Sequence, residues 1–135
     1  VKDGMEISLL CIESKNKKIT WSGANNALWY IQNNELLIIK PDKQPIGKTD
    51  NPSPFTTHEI EYNNGTTFYL FTDGFADQFG GDKGKKFKYK QLEELLLSNN
   101  NLDLSAQSNL LNQKLESWKG HLEQVDDVCV IGVKI

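Results

Sequence analysis

Residues 66–71 (TTFYLF) form a segment that is apolar on both sides of an extended chain. Successive side chains of a strand point to opposite faces, so Phe68 and Leu70 share one face and Tyr69 and Phe71 share the other. A strand of this kind has to be covered on both faces. The segment therefore predicts a central strand buried within a layered fold.

The remainder of the first 70 residues favours paired antiparallel strands. Connectors rich in asparagine and glycine are typical of turns between such strands. The pattern predicts three hairpins: MEISLLCIE with KKITWSG, LWYIQ with ELLIIK, and HEIEY with TTFYLF. Between the second and third hairpins, PDKQPIGKTDNPSPF contains all four prolines, which indicates an irregular surface loop.

After residue 88 the apolar residues recur at helical spacing. YKQLEELLLS and SAQSNLLNQKLESWKG each predict an amphipathic helix, the second with Ser105 as a candidate N-cap and Gly120 as its stop. The closing segment DDVCVIGVKI is short, rich in valine and isoleucine, and bounded by charge, so it predicts a last strand in the same core.

Composition restricts the class of protein. The chain has 135 residues, which suits one domain over residues 1–135, and no apolar run approaches the roughly 18 residues of a membrane span. A net charge of -3 gives no general attraction to nucleic acid, so we expect no nucleic-acid partner. Cys11 and Cys129 lie in apolar runs, and we predict that both are reduced core residues of a cytoplasmic protein.

All fifteen basic residues are lysine. A phosphatase with a cysteine nucleophile relies on an arginine fork to hold the phosphate, and this chain has no arginine. Nucleophile-elbow and phosphate-binding Gly-x-x-x-x-Gly-Lys motifs are also missing from the sequence. Cysteine-nucleophile phosphatase, serine hydrolase and NTP hydrolysis chemistry therefore gain little support from the residues.

Aspartates stand at the ends of two apolar strands. Asp73 follows TTFYLF, and Asp126 and Asp127 precede VCVIGV. If these strands are neighbours, the carboxylates share one rim of the sheet and repel by several kcal/mol at an effective dielectric of about 20. A divalent cation would relieve that repulsion, and hard oxygen ligands suit Mg²⁺ or Mn²⁺. The alternative is that each aspartate is an ordinary turn residue.

Residues 80–90 (GGDKGKKFKYK) combine three glycines with five lysines. We interpret the segment as a solvated connection to the following helix. The alternative is a mobile flap that approaches a phosphorylated partner or a polyanion.

Several motifs, in this order and spacing, resemble those of bacterial metal-dependent protein phosphatases of the PPM type, in the branch like stage II sporulation protein E. They are WSGANNALWYI, KQPIG, TTFYLFTDGFADQFGG, GKKFKYKQLEELL and LEQVDDVCVIGVKI. The resemblance covers essentially the whole chain. It implies an α-β-β-α sandwich of antiparallel sheets, an α+β fold, present here as an N-terminally truncated domain that forms the C-terminal portion of the catalytic domain.

The resemblance also implies roles for particular residues. Asp73 matches the metal-binding aspartate of the family's TDG motif, and Asp126 matches the one in its closing strand motif. Gly74, Asp77 and Asp127 are implied as supporting or orienting residues beside these ligands.

The chemistry implied is hydrolysis of phosphoserine or phosphothreonine by a water activated between two Mn²⁺ or Mg²⁺ ions about 3.5 to 4 Å apart. Relatives place another metal-binding aspartate in an Asp-x-x-Gly-His-Gly type motif, and this chain has no such motif. We therefore expect the chain by itself to bind metal weakly and to be weakly active or inactive.

The implied substrate is a phosphorylated regulatory protein in a bacterial signalling or sigma-factor pathway. Upstream sensor or membrane modules are typical of relatives, and an open sheet edge makes a homodimer an expectation for the fragment. The alternative function is a catalytically inactive domain that binds a phosphoprotein or regulates its neighbours.

Overall fold

A computed structural model describes residues 3–135, which form eleven strands and three helices. The elements are β1 (Gly4–Met5), β2 (Ile7–Glu13), β3 (Lys18–Ala24), β4 (Leu28–Gln32), β5 (Glu35–Ile39), β6 (Ile46–Gly47), β7 (His58–Ile60), β8 (Thr67–Phe71), α1 (Gly74–Asp77), β9 (Phe79–Gly80), β10 (Lys85–Lys86), α2 (Tyr89–Ser98), α3 (Leu104–Lys119) and β11 (Val130–Lys134).

A four-stranded antiparallel sheet has the order β11-β8-β4-β5. The predicted central strand is therefore confirmed, because β8 pairs with a neighbour on each side. Its two faces are also both covered: Phe68 packs into one apolar cluster and Tyr69 into another.

A three-stranded antiparallel sheet has the order β2-β3-β7 and packs face to face with the four-stranded sheet. Residues from both sheets build the cluster between them, including Trp21 of β3 and Leu28 and Phe68 of the larger sheet. The predicted sandwich of antiparallel sheets is confirmed.

The helices cover the outer face of the four-stranded sheet. Phe75 of α1, Leu92 and Leu96 of α2, and Leu115 of α3 are buried against Tyr69 and its neighbours. Within residues 3–135 the layers are thus three-stranded sheet, four-stranded sheet and helices, and no helix lies on the smaller sheet.

The third predicted hairpin is wrong. HEIEY contributes β7, which pairs with β3, whereas β8 pairs with β4 and β11. Residues 61–66 therefore carry the chain from one sheet to the other. The two other hairpins, β2 with β3 and β4 with β5, form as predicted.

The segments predicted to be irregular contain short paired strands. In the proline-rich loop, Ile46 and Gly47 pair with Met5 and Gly4. In the lysine-rich connection, β9 pairs with β10. These pairings tie both segments to the rest of the fold.

The ends of α3 differ in one respect from the prediction. Asp103, not Ser105, is the N-cap, and its Oδ1 accepts a 2.7 Å hydrogen bond from the backbone N–H of Ala106. The helix stops at Gly120, as predicted, where φ is 57°. The carboxylate at the N-cap also interacts favourably with the helix dipole.

Both cysteines are exposed, so their assignment to the core is wrong. Cys11 lies on β2, an edge strand, and Cys129 directly precedes β11, another edge strand. A residue within an apolar run stays exposed when no other layer covers the part of the sheet where its side chain lies. The described helices include none that is long and apolar enough to cross a membrane.

Candidate metal site at the ends of β8 and β11

The antiparallel register of β8 and β11 brings the predicted acidic residues to one end of the sheet. Phe71 lies opposite Val130, and Thr67 lies opposite Lys134. The chain leaves β8 at the same end at which it enters β11, so Asp73 and Asp126 converge there. We call Thr72, Asp73, Asp126 and Asp127 the acidic end.

Thr72 joins the two strands beyond the ladder. Its N–H donates to the carbonyl of Cys129 at 3.0 Å, and its hydroxyl donates to the carbonyl of Asp127 at 3.0 Å. The same hydroxyl accepts from the N–H of Cys129 at 3.0 Å. These bonds fix the separation of the segments that carry Asp73 and Asp126.

Asp73 occupies the N-cap position of α1, but its side chain makes no capping hydrogen bond. An aspartate serving only the helix would accept a bond from the first turn. Its carboxyl group instead interacts with that of Asp126. The position of this side chain is therefore not set by helix capping.

The pKa of Asp73 is shifted by burial and by the neighbouring carboxyl groups. Partial desolvation raises the pKa of Asp73, and the hydrogen bond and charge of Asp126 and the charge of Asp77 raise the pKa further, against a lowering by backbone hydrogen bonding. Because Asp73 is exposed overall, solvent screens part of this repulsion. Protonation of a carboxyl group or binding of a cation would therefore relieve the repulsion at the acidic end.

Asp126 is oriented by local hydrogen bonds. The backbone N–H of Asp127 donates to Asp126 Oδ1 at 2.8 Å, and Gln124 Nε2 donates to the Asp126 carbonyl at 2.9 Å. The contact from Asp127 comes from its backbone, so the predicted orienting role of its side chain stays a prediction.

Gly74 lets the two segments approach. It is buried, and a Cβ added to it would lie 2.2 Å from the carbonyl oxygen of Asp127. A contact that short is impossible for a side-chain carbon. The glycine is therefore required by the closeness of the two strand ends, since its φ is not in the left-handed region.

Asp77 stands one helical turn after Asp73, and its backbone N–H donates to the Asp73 carbonyl at 2.9 Å. Its Oδ1 lies 3.5 Å from Lys86 Nζ. Asp77 thus links the acidic end to β10, and its charge also acts on Asp73.

The donor chemistry of this end fits a hard divalent cation in part. Two facing carboxylates with mutual repulsion are the oxygen ligands that Mn²⁺ and Mg²⁺ accept. Among residues 3–135, however, no three histidine, cysteine or acidic side chains are grouped so that they could hold a metal ion. In the described part of the chain, Asp73 and Asp126 are therefore candidate ligands that do not by themselves form a metal site.

Tyr89, the first residue of α2, lies near the acidic end and was not among the predicted site residues. Its ring lies 5.9 Å from that of Trp29 and 6.1 Å from that of Phe71. Burial raises the pKa of Tyr89, and the charges of Asp73, Asp77 and Glu6 raise it further. The alternation of aromatic and lysine residues at positions 87–90 was the available signal.

Comparison with known proteins shows the family. The family model described as Stage II sporulation protein E (SpoIIE) matches residues 3–135. No curated protein matches the chain.

Among solved structures, the SiaA-PP2C domain of Pseudomonas aeruginosa is 25% identical with a TM-score of 0.87, over 96% of this chain and 51% of that one. The phosphatase domain of the cell fate determinant SpoIIE from Bacillus subtilis is 13% identical with a TM-score of 0.64, over 96% and 58%. A manganese-presoaked form of that domain is 12% identical with a TM-score of 0.69, over 96% and 56%.

The chain thus spans about half the length of these solved relatives. The family match nevertheless covers all the described residues, and the structural likeness extends over both sheets and the helices. The chain belongs to the stage II sporulation protein E (SpoIIE) family and has the fold of a PP2C phosphatase domain.

Proposed function

We propose that this chain is the C-terminal portion of a metal-dependent protein serine/threonine phosphatase domain. The observation that carries the proposal is the convergence of Asp73 and Asp126 at the ends of β8 and β11. Family membership supports phosphatase chemistry in general, and the solved relatives include a manganese-presoaked domain.

In this proposal Asp73 and Asp126 hold Mn²⁺ or Mg²⁺. When bound, such an ion supplies Lewis-acid chemistry, offsetting the charge of the phosphoryl group and making a water more acidic. Thr72 keeps the two ligand segments at a fixed separation, and the N–H of Asp127 orients the Asp126 carboxylate. The chain contributes no nucleophile in this proposal. Its residues bind the metal ion and orient the carboxylates that hold it.

The substrate in this proposal is a phosphorylated regulatory protein of a bacterial signalling pathway, and the domain acts in the cytoplasm. The natural polypeptide joins it to sensor or membrane modules, and the fragment alone self-associates through its exposed sheet edges. These features are proposed from the family and from the exposed edge strands β2 and β11.

A second candidate is a catalytically inactive domain that binds a phosphoprotein or regulates its neighbours. It is favoured by the small ligand set, because the described residues offer no group of three side chains suited to a metal. Both candidates predict weak turnover by the isolated chain, so the natural polypeptide has to be assayed as well.

The test is Mn²⁺-dependent phosphate release from a phosphoserine peptide by the natural polypeptide that contains this chain, with and without Asp126→Asn. We expect turnover that the substitution reduces by about a hundredfold or more, because a ligand carboxylate is lost. If the wild-type polypeptide showed no metal-dependent turnover, the phosphatase proposal would be wrong and the second candidate would remain.

The isolated chain supplies a further expectation. With p-nitrophenyl phosphate and millimolar Mn²⁺ we expect poor turnover, since it holds two of the family's aspartates without their partner motif. Turnover at the rate of complete family members would contradict this.

A further inference from the structure

Five of the fifteen lysines fall within eight residues beside the acidic end. We call them the lysine ridge: Lys83, Lys85, Lys86, Lys88 and Lys90. All five are exposed, and Lys86 forms an ion pair with Asp77. For the other four, the described residues include no ion-pair partner. The chain as a whole is acidic, so this concentration of positive charge is local.

The backbone of the ridge is held in place. Phe87, in the middle of it, is buried, and its ring packs edge to face on Phe75 and Trp118. Its N–H donates to the Gln78 carbonyl at 2.9 Å. The lysines therefore project from a fixed segment rather than from the mobile flap considered above.

The ridge lies against the helix that begins after Asp73. The N–H of Lys88 donates to the carbonyl of Ala76 in α1 at 2.8 Å, and Lys86 reaches Asp77 in the same helix. Tyr89 continues the segment onto Phe71, the last residue of β8. Positive charge thus flanks the proposed catalytic site on the side of α1.

Lys88 has an unusual backbone, with φ 75° and ψ 152°. This region of conformational space is nearly restricted to glycine, and side chains held there concentrate at functional sites. A glycine would adopt it without strain, yet the position carries a charged side chain.

We propose that the lysine ridge docks an acidic segment of the protein substrate next to the phosphorylated residue. The inference rests on the proposed function and names the chemistry of its substrate. An acidic peptide complements the unpaired lysines, and a prearranged ridge lowers the ordering cost of binding. Nucleic acid is a weaker match, because the chain is acidic overall. Phe79 and Tyr89 are exposed beside the lysines, but the Tyr89 ring packs on Trp29 and Phe71.

The test is the binding of fluorescent peptides to the 135-residue chain by anisotropy, without metal. The peptides carry serine or phosphoserine with glutamate or with neutral flanks, and a single-stranded DNA of equal charge serves as a competitor. The ridge variant is K83Q/K85Q/K90Q, which spares the Lys86 ion pair and the strained Lys88. The matched control is K15Q/K17Q/K18Q, three exposed lysines of which two share a groove with Asn63 and Ile135 at the other end of β8 and β11.

We expect the glutamate-flanked peptides to bind more tightly than the neutral ones, with or without phosphate. The ridge variant should weaken them about fivefold and flatten the salt dependence, and the control should change affinity by less than about twofold. Equal affinity for acidic and neutral peptides, or equal weakening by the control, would overturn the proposal. Tighter, ridge-dependent binding of the DNA would overturn it in favour of nucleic acid.

This assay contains no hydrolysis step and no metal. Loss of ridge-dependent binding therefore refutes the docking surface while leaving the Asp126→Asn activity test untouched. Conversely, a domain that is catalytically inactive can still show the binding.

Discussion

The two ends of the β8–β11 pair are built from opposite kinds of polar group. At the acidic end, like charges face each other across the strands. The other end, which we call the neutral end, comprises Gln32, Asn63, Gly65, Thr66 and Ile135. The two ends of the same strands thus differ in whether like charges face each other.

The neutral end is closed by hydrogen bonds. The buried Thr66 hydroxyl donates to Gln32 Oε1 at 2.8 Å and accepts from the N–H of Asn63 at 3.2 Å. Gly65 donates to the Ile135 carbonyl at 2.7 Å, and Ile135 donates to the Thr66 carbonyl at 2.9 Å. Buried polar groups that are paired in this way stabilise a sheet without help from a ligand.

At the acidic end, the charged side chains of the segments that flank β8 and β11 are not paired in this way. Its hydrogen bonds fix the backbone, whereas its carboxylates repel. The two ends thus differ in that polar groups are paired at the neutral end, whereas carboxylates repel at the acidic end. Each of the following predictions tests this difference.

The largest effect is expected from Gly74→Ala. The new methyl group would meet the Asp127 carbonyl at 2.2 Å, so the strand ends must separate. We expect a loss of about 2–4 kcal/mol in the free energy of unfolding, measured by urea denaturation, together with weaker Mn²⁺ binding.

The matched control is Gly65→Ala at the neutral end. This glycine has φ 96° and open space around its Cβ position, so only backbone strain of about 1–2 kcal/mol is expected. Mn²⁺ affinity should stay unchanged. Equal loss of metal affinity in both variants would show that the two ends are not functionally distinct.

The next effect concerns metal binding alone. Asp126→Asn should weaken Mn²⁺ binding by about tenfold or more in isothermal titration calorimetry, because a charged oxygen ligand becomes neutral. Glu35→Gln, beside Gln32 near the neutral end, removes the same charge from the chain and should leave the affinity within about twofold. Similar losses of Mn²⁺ affinity in both variants would show that the affinity depends on the overall charge of the chain and not on the position of Asp126.

The smallest effect is a gain of stability from Asp73→Asn without metal. The folded-state pKa of Asp73 is raised, so its ionised form opposes folding above that pKa, and the penalty disappears below the unfolded value near 3.8. Asparagine should therefore raise the free energy of unfolding at pH 7 by a few tenths of a kcal/mol, about 1 °C in Tm, with no gain near pH 3.

Saturating Mn²⁺ should reverse the order of the two proteins at pH 7, because the wild type binds the ion more tightly. A variant less stable than the wild type by the same amount at both pH values, with or without metal, would mean that Asp73 is a structural cap.

Much of this fold could be predicted because the decisive signals are local. The apolar faces of β8, the turns of the β2–β3 and β4–β5 hairpins and the spacing of α2 and α3 lie within single segments. The convergence of Asp73 and Asp126 was predicted on the assumption that the strands next to them are neighbours in one sheet. The pairing of β8 with β11 satisfies that assumption.

Features that depend on distant residues could not be predicted in this way. Asn63-Asn64-Gly65 has the composition of a hairpin turn, yet it leads from β7 in one sheet to β8 in the other. The exposure of Cys11 and Cys129 depends on which layers cover an edge strand. The positive φ of Lys88 occurs next to Phe87, whose ring packs on Phe75 of α1 and Trp118 of α3, and these contacts join residues distant in sequence.

The exposed thiol of Cys129 has a practical consequence. It lies three residues after Asp126, and its backbone is anchored to Thr72. In a Cys11→Ser background, an environment-sensitive dye attached to this sulfur becomes an optical reporter of events at that end of the molecule. Titrations could then be followed in real time at nanomolar protein concentrations, with no radiolabel and no coupled enzyme.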